Sequence, residues 1–456
     1  MDLTKGDISK LTKTIAIPAS IGFFFNTMYN VVDTYFAGLV SSTGLAALTL
    51  SFPVFFIIIA LGNGFSTGTT ALIANELGRN NREGARIYAT QAIIYGIFLA
   101  FFLSLLGILM APFIFEQMGA TGEYLSITLE YINVILIGAV FLLLTFILNA
   151  SLNAVGNTKT YRNFLVAGFL LNIVLDPLFI FWLDLGIMGI ALATVLINVI
   201  GMFYIGYMSN REGILCLKCL KYVFPKPKIF KDITQQGFPA SLNMMTVALG
   251  FFVITYFLSG FGESAVAAYG VALRIEQIFL LPTIGLNIAT LSIIGQSFGA
   301  KKFSRVLTTL KTNIKYGLIV TFFGGLIIFF AGPLIMRIFT VDSDIIQMGA
   351  FYLKFAALMQ WGYVLIFMNI SALQGLKKPL FAFWIGIYRQ IVAPLVLFYL
   401  FTVILDLKTT GIWLGIFVAV WTGALITVVY ARKRMDAILA QSTTVPSGSK
   451  RQKSLF

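Results

Sequence analysis

Long apolar runs fill most of the chain, and short polar stretches interrupt them at regular intervals. Twelve runs follow one another, at 14–38, 45–75, 86–112, 126–149, 161–182, 187–208, 234–259, 265–295, 312–333, 347–373, 380–404 and 410–431. A helix rises about 1.5 Å per residue, so each run is long enough to cross roughly 30 Å of hydrocarbon. The breaks carry turn-prone residues, as in "G-R-N-N-R" and "V-G-N-T-K". The pattern predicts an all-α integral membrane protein of twelve transmembrane helices. The first run is too long for the apolar core of a signal peptide, so no cleaved leader is expected.

Composition removes the soluble alternative. The 456 residues are 59% hydrophobic and only 11% charged, against about 25% charged in an ordinary soluble domain. The net charge of +14 sorts by side. Lys5, Lys10 and Lys13 precede the first run, and Arg79, Arg82 and Arg86 follow the second. Lys226, Lys228 and Lys231 follow the sixth, and Arg432, Lys433 and Arg434 the last. The alternate breaks carry Glu116, Glu123, Asp184, Glu263, Asp342, Asp344 and Asp406 instead. The positive-inside rule then places both termini in the cytoplasm, in the cell (inner) membrane. It also accounts for the charge without a nucleic-acid partner.

An internal repeat divides the chain. "I-P-A-S" at 17–20 returns as "F-P-A-S" at 238–241, an offset of 239 − 18 = 221. The same offset pairs "T-Y-F" at 34–36 with 255–257, Gly78 with Gly299, and Pro112 with Pro333. Two six-helix lobes are expected: 1–208, then a basic cytoplasmic linker at 209–232, then 233–434, then a disordered tail at 435–456. Six is even, so the lobes share orientation and are pseudo-symmetric about an axis along the membrane normal. A V-shaped central cleft lies between them, as in alternating-access transporters.

Two acids break that symmetry. Asp33 falls opposite Ile254, and Asp176 falls near Ala393. A carboxylate at the centre of an apolar helix costs roughly 2.5–3.5 kcal/mol on insertion scales. The repeat shows that the backbone plan does without it. Asn26, Tyr29 and Asp33 are spaced three and four apart on one helical face, and Asn172 and Asp176 are i and i+4. Tyr131, Asn149, Asn153 and Thr194 are further oxygen donors on neighbouring spans. Two carboxylates, amides and hydroxyls make a hard-oxygen cluster able to hold sodium or a shared proton, titrating as a unit. The sodium candidates are Asp33, Asn172, Asp176 and Thr194. Mutual hydrogen bonding as simple helix glue is the plainer alternative for the neutral residues. Pro18 and Pro177 each leave a carbonyl without its helical donor and are candidate hinges. Arg274, Glu276, Lys354 and Arg389 are second-half charges expected near an interface.

Other chemistry finds little support. The chain has no His, which removes the commonest metal ligand and proton shuttle. Cys216 and Cys219 form one C-x-x-C in a basic loop, without the second pair a zinc site needs. No H-E-x-x-H or G-x-S-x-G occurs, so an enzyme is not expected, nor any cofactor beyond a coupling ion.

At these residues the sequence resembles the multidrug and toxic compound extrusion (MATE) family. The carriers are "I-P-A-S-I", "N-V-V-D-T-Y-F-A-G-L", "A-N-E-L-G-R-N-N", "L-N-A-V-G-N-T-K", "L-N-I-V-L-D-P-L-F-I", "I-G-Q-S-F-G-A-K-K" and "S-A-L-Q-G", in order along nearly the whole chain. The branch is similar to the DinF-like one. The resemblance implies a secondary antiporter exporting organic cationic or amphipathic compounds, driven by proton or sodium influx. It implies coupling through Tyr29, Asp33, Tyr131, Asn149, Asn172, Asp176 and Thr194, a bend at Pro18, small-molecule drugs as partners, and a monomer in the bilayer. A lipid-linked oligosaccharide flippase of the same superfamily is the alternative. It would want a cationic cavity, whereas the first-half core offers acids.

Overall fold

The computed structural model describes residues 1–215, 222 and 224–443, with side chains to residue 438. Cys216, Cys219 and the tail from 444 onward lie outside the described residues. The chain is helical nearly throughout. The first lobe holds α1 (Ile8–Val40), α2 (Ser42–Gly78), α3 (Arg82–Gln117), α4 (Gly122–Ile137), α5 (Ala139–Ala154), α6 (Thr158–Pro177) and α7 (Gly186–Arg211). The second holds α8 (Pro227–Ser259), α9 (Glu263–Gly299), α10 (Phe303–Met336), α11 (Ser343–Gly375), α12 (Leu380–Ile387), α13 (Ala393–Phe398) and α14 (Lys408–Thr443). Short polar side chains start many of them. Asp7 accepts from the Lys10 N–H, Ser41 from Gly44, and Asn81 from Gly84, each satisfying a donor that the first helical turn leaves unpaired.

Eleven helical stretches among the described residues are long and apolar enough to cross a membrane, and α4 with α5 makes a twelfth, bent by 45°. The break falls at Gly138. A Cβ there would sit 2.3 Å from a methyl of Val195, so α7 passes hard against the bend. The position 221 residues later is Met359, inside an uninterrupted α11.

The repeat is carried into three dimensions. The first residues of α2 and α9 are 221 apart, as are their last. The α4–α5 pair, from Gly122 to Ala154, matches α11, from Ser343 to Gly375, in the same way. Pro177 does not stop its helix: α6 widens into a π-helical turn at Leu178–Trp182, the wider register absorbing the missing donor. The second lobe has its counterpart at Tyr399–Ile404 and an extra π-helical turn at Tyr388–Val392.

Each lobe has its own core. Phe65, Phe115, Ile132, Ile135 and Ile190 centre the first, and Tyr352, Phe398 and Trp413 the second. A third cluster joins the lobes: Leu3, Leu11 and Ile15 pack with Ile293, Met368, Leu373, Ala431 and Met435. It lies at the end of the molecule where α1 begins and α14 ends. The lobes therefore meet in the terminus-bearing half. The sequence starts the tail at residue 435, whereas α14 stays helical to Thr443. Met435 continues the apolar face of Ala431 and is buried in the joining cluster, which holds the helix past the expected boundary.

Candidate functional site

The two intramembrane acids meet. Asp33 is carried by α1 and Asp176 by the last turn of α6, two helices packed along much of their length. Both are buried, at 8% and 0% exposure. Asn172, one turn before Asp176, lies between them. Its single amide nitrogen donates to Asp33 Oδ1 at 2.9 Å and to Asp176 Oδ1 at 2.9 Å. Both amide hydrogens are thus spent on carboxyl oxygens, one from each acid. The remaining acceptors, Asn172 Oδ1 and Asp176 Oδ2, are buried without a donor. Unpaired buried oxygens of this kind cost free energy unless something positive or protic is supplied.

A second layer leads away from the pair. The Tyr29 hydroxyl donates to Thr194 Oγ1 at 3.0 Å. Asn198 donates to the Thr194 carbonyl, and Thr145 to the Asn198 carbonyl, so α1, α5 and α7 are tied together beside the acids. Tyr131, on α4, is buried. Thr194 therefore stands behind Tyr29 rather than on the carboxyls, so of the four sodium candidates it is the one a hydroxyl away.

Two expected members lie elsewhere. Asn26 is exposed, and its carbonyl accepts from Asn30. Asn153 lies one residue from the end of α5, beside the start of α6. Asp176 is eighteen residues further along α6, or roughly 27 Å, so Asn153 does not join the pair. Asn149 is one turn nearer, buried, with its Oδ1 unpaired. Residue type flagged these amides; the depth of each along its helix separates them. Pro18 sits inside an uninterrupted α1.

The second lobe corrects one expectation. Glu276 is 2% exposed, not at an interface. The Tyr352 hydroxyl donates to it at 2.6 Å, among Tyr269 and Trp413. Arg274 and Lys354 are exposed, and the half-buried Arg389 lies over the Tyr363 ring at 5.3 Å. Helical phase alone put Glu276 and Arg274 on different faces; which face turned inward was decided by packing. Among the described residues, no three His, Cys, Asp or Glu side chains gather into a metal site. A cation here would be held by the paired carboxyls and neutral oxygens.

The MatE family model matches residues 18–178 and again 239–400, two stretches starting at Pro18 and Pro239, 221 residues apart like the repeat. A multidrug export protein, MepA, of Staphylococcus saprophyticus is 30% identical over 352 residues, covering 77% of this chain and 78% of that one. Two solved structures superpose with a TM-score of 0.91 at 28% identity, each covering 96% of this chain and 98% of its own. One is an outward-facing multidrug resistance MATE family transporter of the MOP superfamily. The other is a MOP superfamily transporter from Pyrococcus furiosus described as having a binding pocket of reverse polarity. With the family model matched in both lobes and the twelve-span fold shared, this chain belongs to the MatE family of multi-pass membrane transporters.

Proposed function

We propose that the protein is a secondary antiporter of the DinF-like branch that exports organic cationic or amphipathic compounds in exchange for inward protons or sodium. The observation that carries the reading is the single Asn172 amide bonded to both Asp33 and Asp176. It gathers two costly intramembrane acids at one buried point of one lobe, with two acceptor oxygens left over. One positive charge bound there satisfies what the chain leaves unsatisfied. The multidrug export named for the staphylococcal relative supports the substrate class.

The cycle follows from charge and access. The basic terminus-bearing side is read as cytoplasmic, so the cleft faces outward. From outside, the pair takes up a proton or sodium. The pair, with one negative charge offset, then repacks α1 against α6, with Pro18 and the π-helical turn after Pro177 as places where the backbone can give. Compound leaves outward, the lobes rock, the cation is released to the cytoplasm and a new compound binds. The protein acts as a monomer, with no cofactor beyond the coupling ion.

The test is Asp33→Asn in cells loaded with a fluorescent organic cation. Export is expected to fall to the level of cells without the protein, while the variant extracts as a folded, monodisperse species. Export at the parental rate would overturn the coupling role. Efflux from vesicles with pH and sodium gradients imposed separately identifies the ion.

A further inference from the structure

The terminus-bearing end of the lobe interface holds a reciprocal pair of hydrogen bonds. Asn75, near the end of α2, donates across the interface to the Gly375 carbonyl at 2.9 Å. Gln296, near the end of α9, donates back to the Ala154 carbonyl at 2.7 Å. The two donors are 221 residues apart, and so are the two acceptors. The repeat has thus built one bond twice, once from each lobe. Close approach of α2 and α9 makes it possible. A Cβ on Gly78 would lie 2.0 Å from the Gln296 carbonyl oxygen, and one on Gly299 would lie 2.0 Å from that of Asn75. No other residue fits at either position without parting the helices. Asn75 and Gln296 are fully or nearly fully buried.

The symmetry fails at one atom. Gln296 Oε1 accepts from the Leu3 N–H at 2.9 Å, whereas the equivalent Asn75 Oδ1 has no partner. Leu3 belongs to the segment before α1 and is completely buried. The second-lobe position 221 residues later is Phe224, which is exposed, its carbonyl accepting from Gln91 on α3. Among the described residues, it is the first lobe that sends a segment into the interface. That segment is gripped by the other lobe. The Arg305 guanidinium donates to the carbonyls of Leu3, Lys5 and Gly6, and Lys302 to that of Thr4. Its other side rests on the turn between α5 and α6, where a Cβ on Gly156 would meet Met1 and Leu3.

We propose that Asn75 and Gln296 are the two halves of a cytoplasmic gate, and that residues 1–6 bolt it shut in the outward-open state. Separation of the lobes on this side breaks both amide bonds and withdraws Leu3 from Gln296. The bolt delays opening until the acid pair has its cation. Four of the five bonds from Lys302 and Arg305 go to backbone carbonyls and the fifth to the Thr4 hydroxyl, so the grip follows chiefly the path of residues 1–6. This rests on the alternating-access reading above.

The test uses the full chain with Cys216→Ser and Cys219→Ser, reconstituted in vesicles. Leu3→Cys with Gln296→Cys is joined by a short thiol-cleavable bifunctional reagent. The Cys216→Ser, Cys219→Ser parent must first export a fluorescent cation against its gradient; failure there counts against alternating access and not against the bolt. Linking is then expected to lower export at least tenfold, and reduction to return it to the unlinked rate. Absence of any cross-link, or export by linked protein at the unlinked rate, overturns the proposal. In the second arm, spin labels at Lys159→Cys and Lys378→Cys report lobe separation on this side. Arg305→Gln is expected to raise the long-distance fraction about tenfold, as loss of charge-assisted bonds implies. A distance distribution identical to that of the parent overturns the proposal as well.

Discussion

At the scale of single residues, Asn172 matters as much as the acids it joins. An amide that donates twice to two carboxyls holds them together without neutralising either. Asn172→Leu removes both donors while keeping much of the volume. Two hydrogen bonds to charged or partly charged acceptors are together worth about 3 kcal/mol or more. The variant is expected to unfold several degrees lower in detergent and to export at least tenfold more slowly, measured by thermal denaturation and dye efflux. Unchanged values in both would remove Asn172 from the site. The acids themselves are legible in the sequence because a charge in an apolar run stands out at once. Asn172 is legible because i and i+4 share a face. Glu276 is not legible as a core residue: spacing gives its angle on α9 but not which neighbours turn toward it.

At the scale of elements, the α2–α8 crossing decides how closely the lobes approach. A Cβ on Gly64 would lie 2.3 Å from the Ser241 amide nitrogen, and one on Gly68 would lie 2.5 Å from that of Gly237. These obstacles are backbone and cannot rotate away. Gly64→Val is expected to cost about 1–3 kcal/mol and to shift the lobes apart at the terminus-bearing end. The checks are a lower midpoint in thermal unfolding and a longer spin-label distance across that end. Ser241→Ala should not rescue the variant, because the nearby Ser241 backbone remains. The broken α4–α5 span is an element-scale feature that the hydropathy run at 126–149 conceals. Glycine is frequent in membrane helices, so Gly138 does not announce a bend. The close passage of Val195 gives it a structural use.

For the whole molecule, the proposed antiport cycle with its one-lobe acid pair needs a single inward charge per turn. One charge crossing the full potential gains about 2.3 kcal/mol per 100 mV, up to a roughly fiftyfold bias. An inside-negative potential imposed on outward-oriented vesicles, at zero chemical ion gradient, is expected to speed export of a neutral compound by tens of fold at most. A rate indifferent to potential would mean that no net charge moves. Orientation is separately testable. A membrane-impermeant thiol reagent added outside intact cells should label Glu263→Cys and leave Lys378→Cys untouched, and the reverse pattern would invert the topology.

The sequence by itself determined the twelve spans, the duplication at an offset of 221, the sidedness of charge and the presence of two acids in one half. Those properties are local or periodic: hydropathy, repeat spacing and charge are all carried by residue type and position in the chain. The tertiary structure decided which oxygens meet. It brought Asp33, Asn172 and Asp176 to one point and left Asn26 and Asn153 away from it. It buried Glu276 beside Tyr352, and it closed the lobes at the end where Asn75, Gln296 and Leu3 converge. Contacts between helices far apart in the chain depend on depth, rotation and bend at once. No single stretch of sequence contains all three.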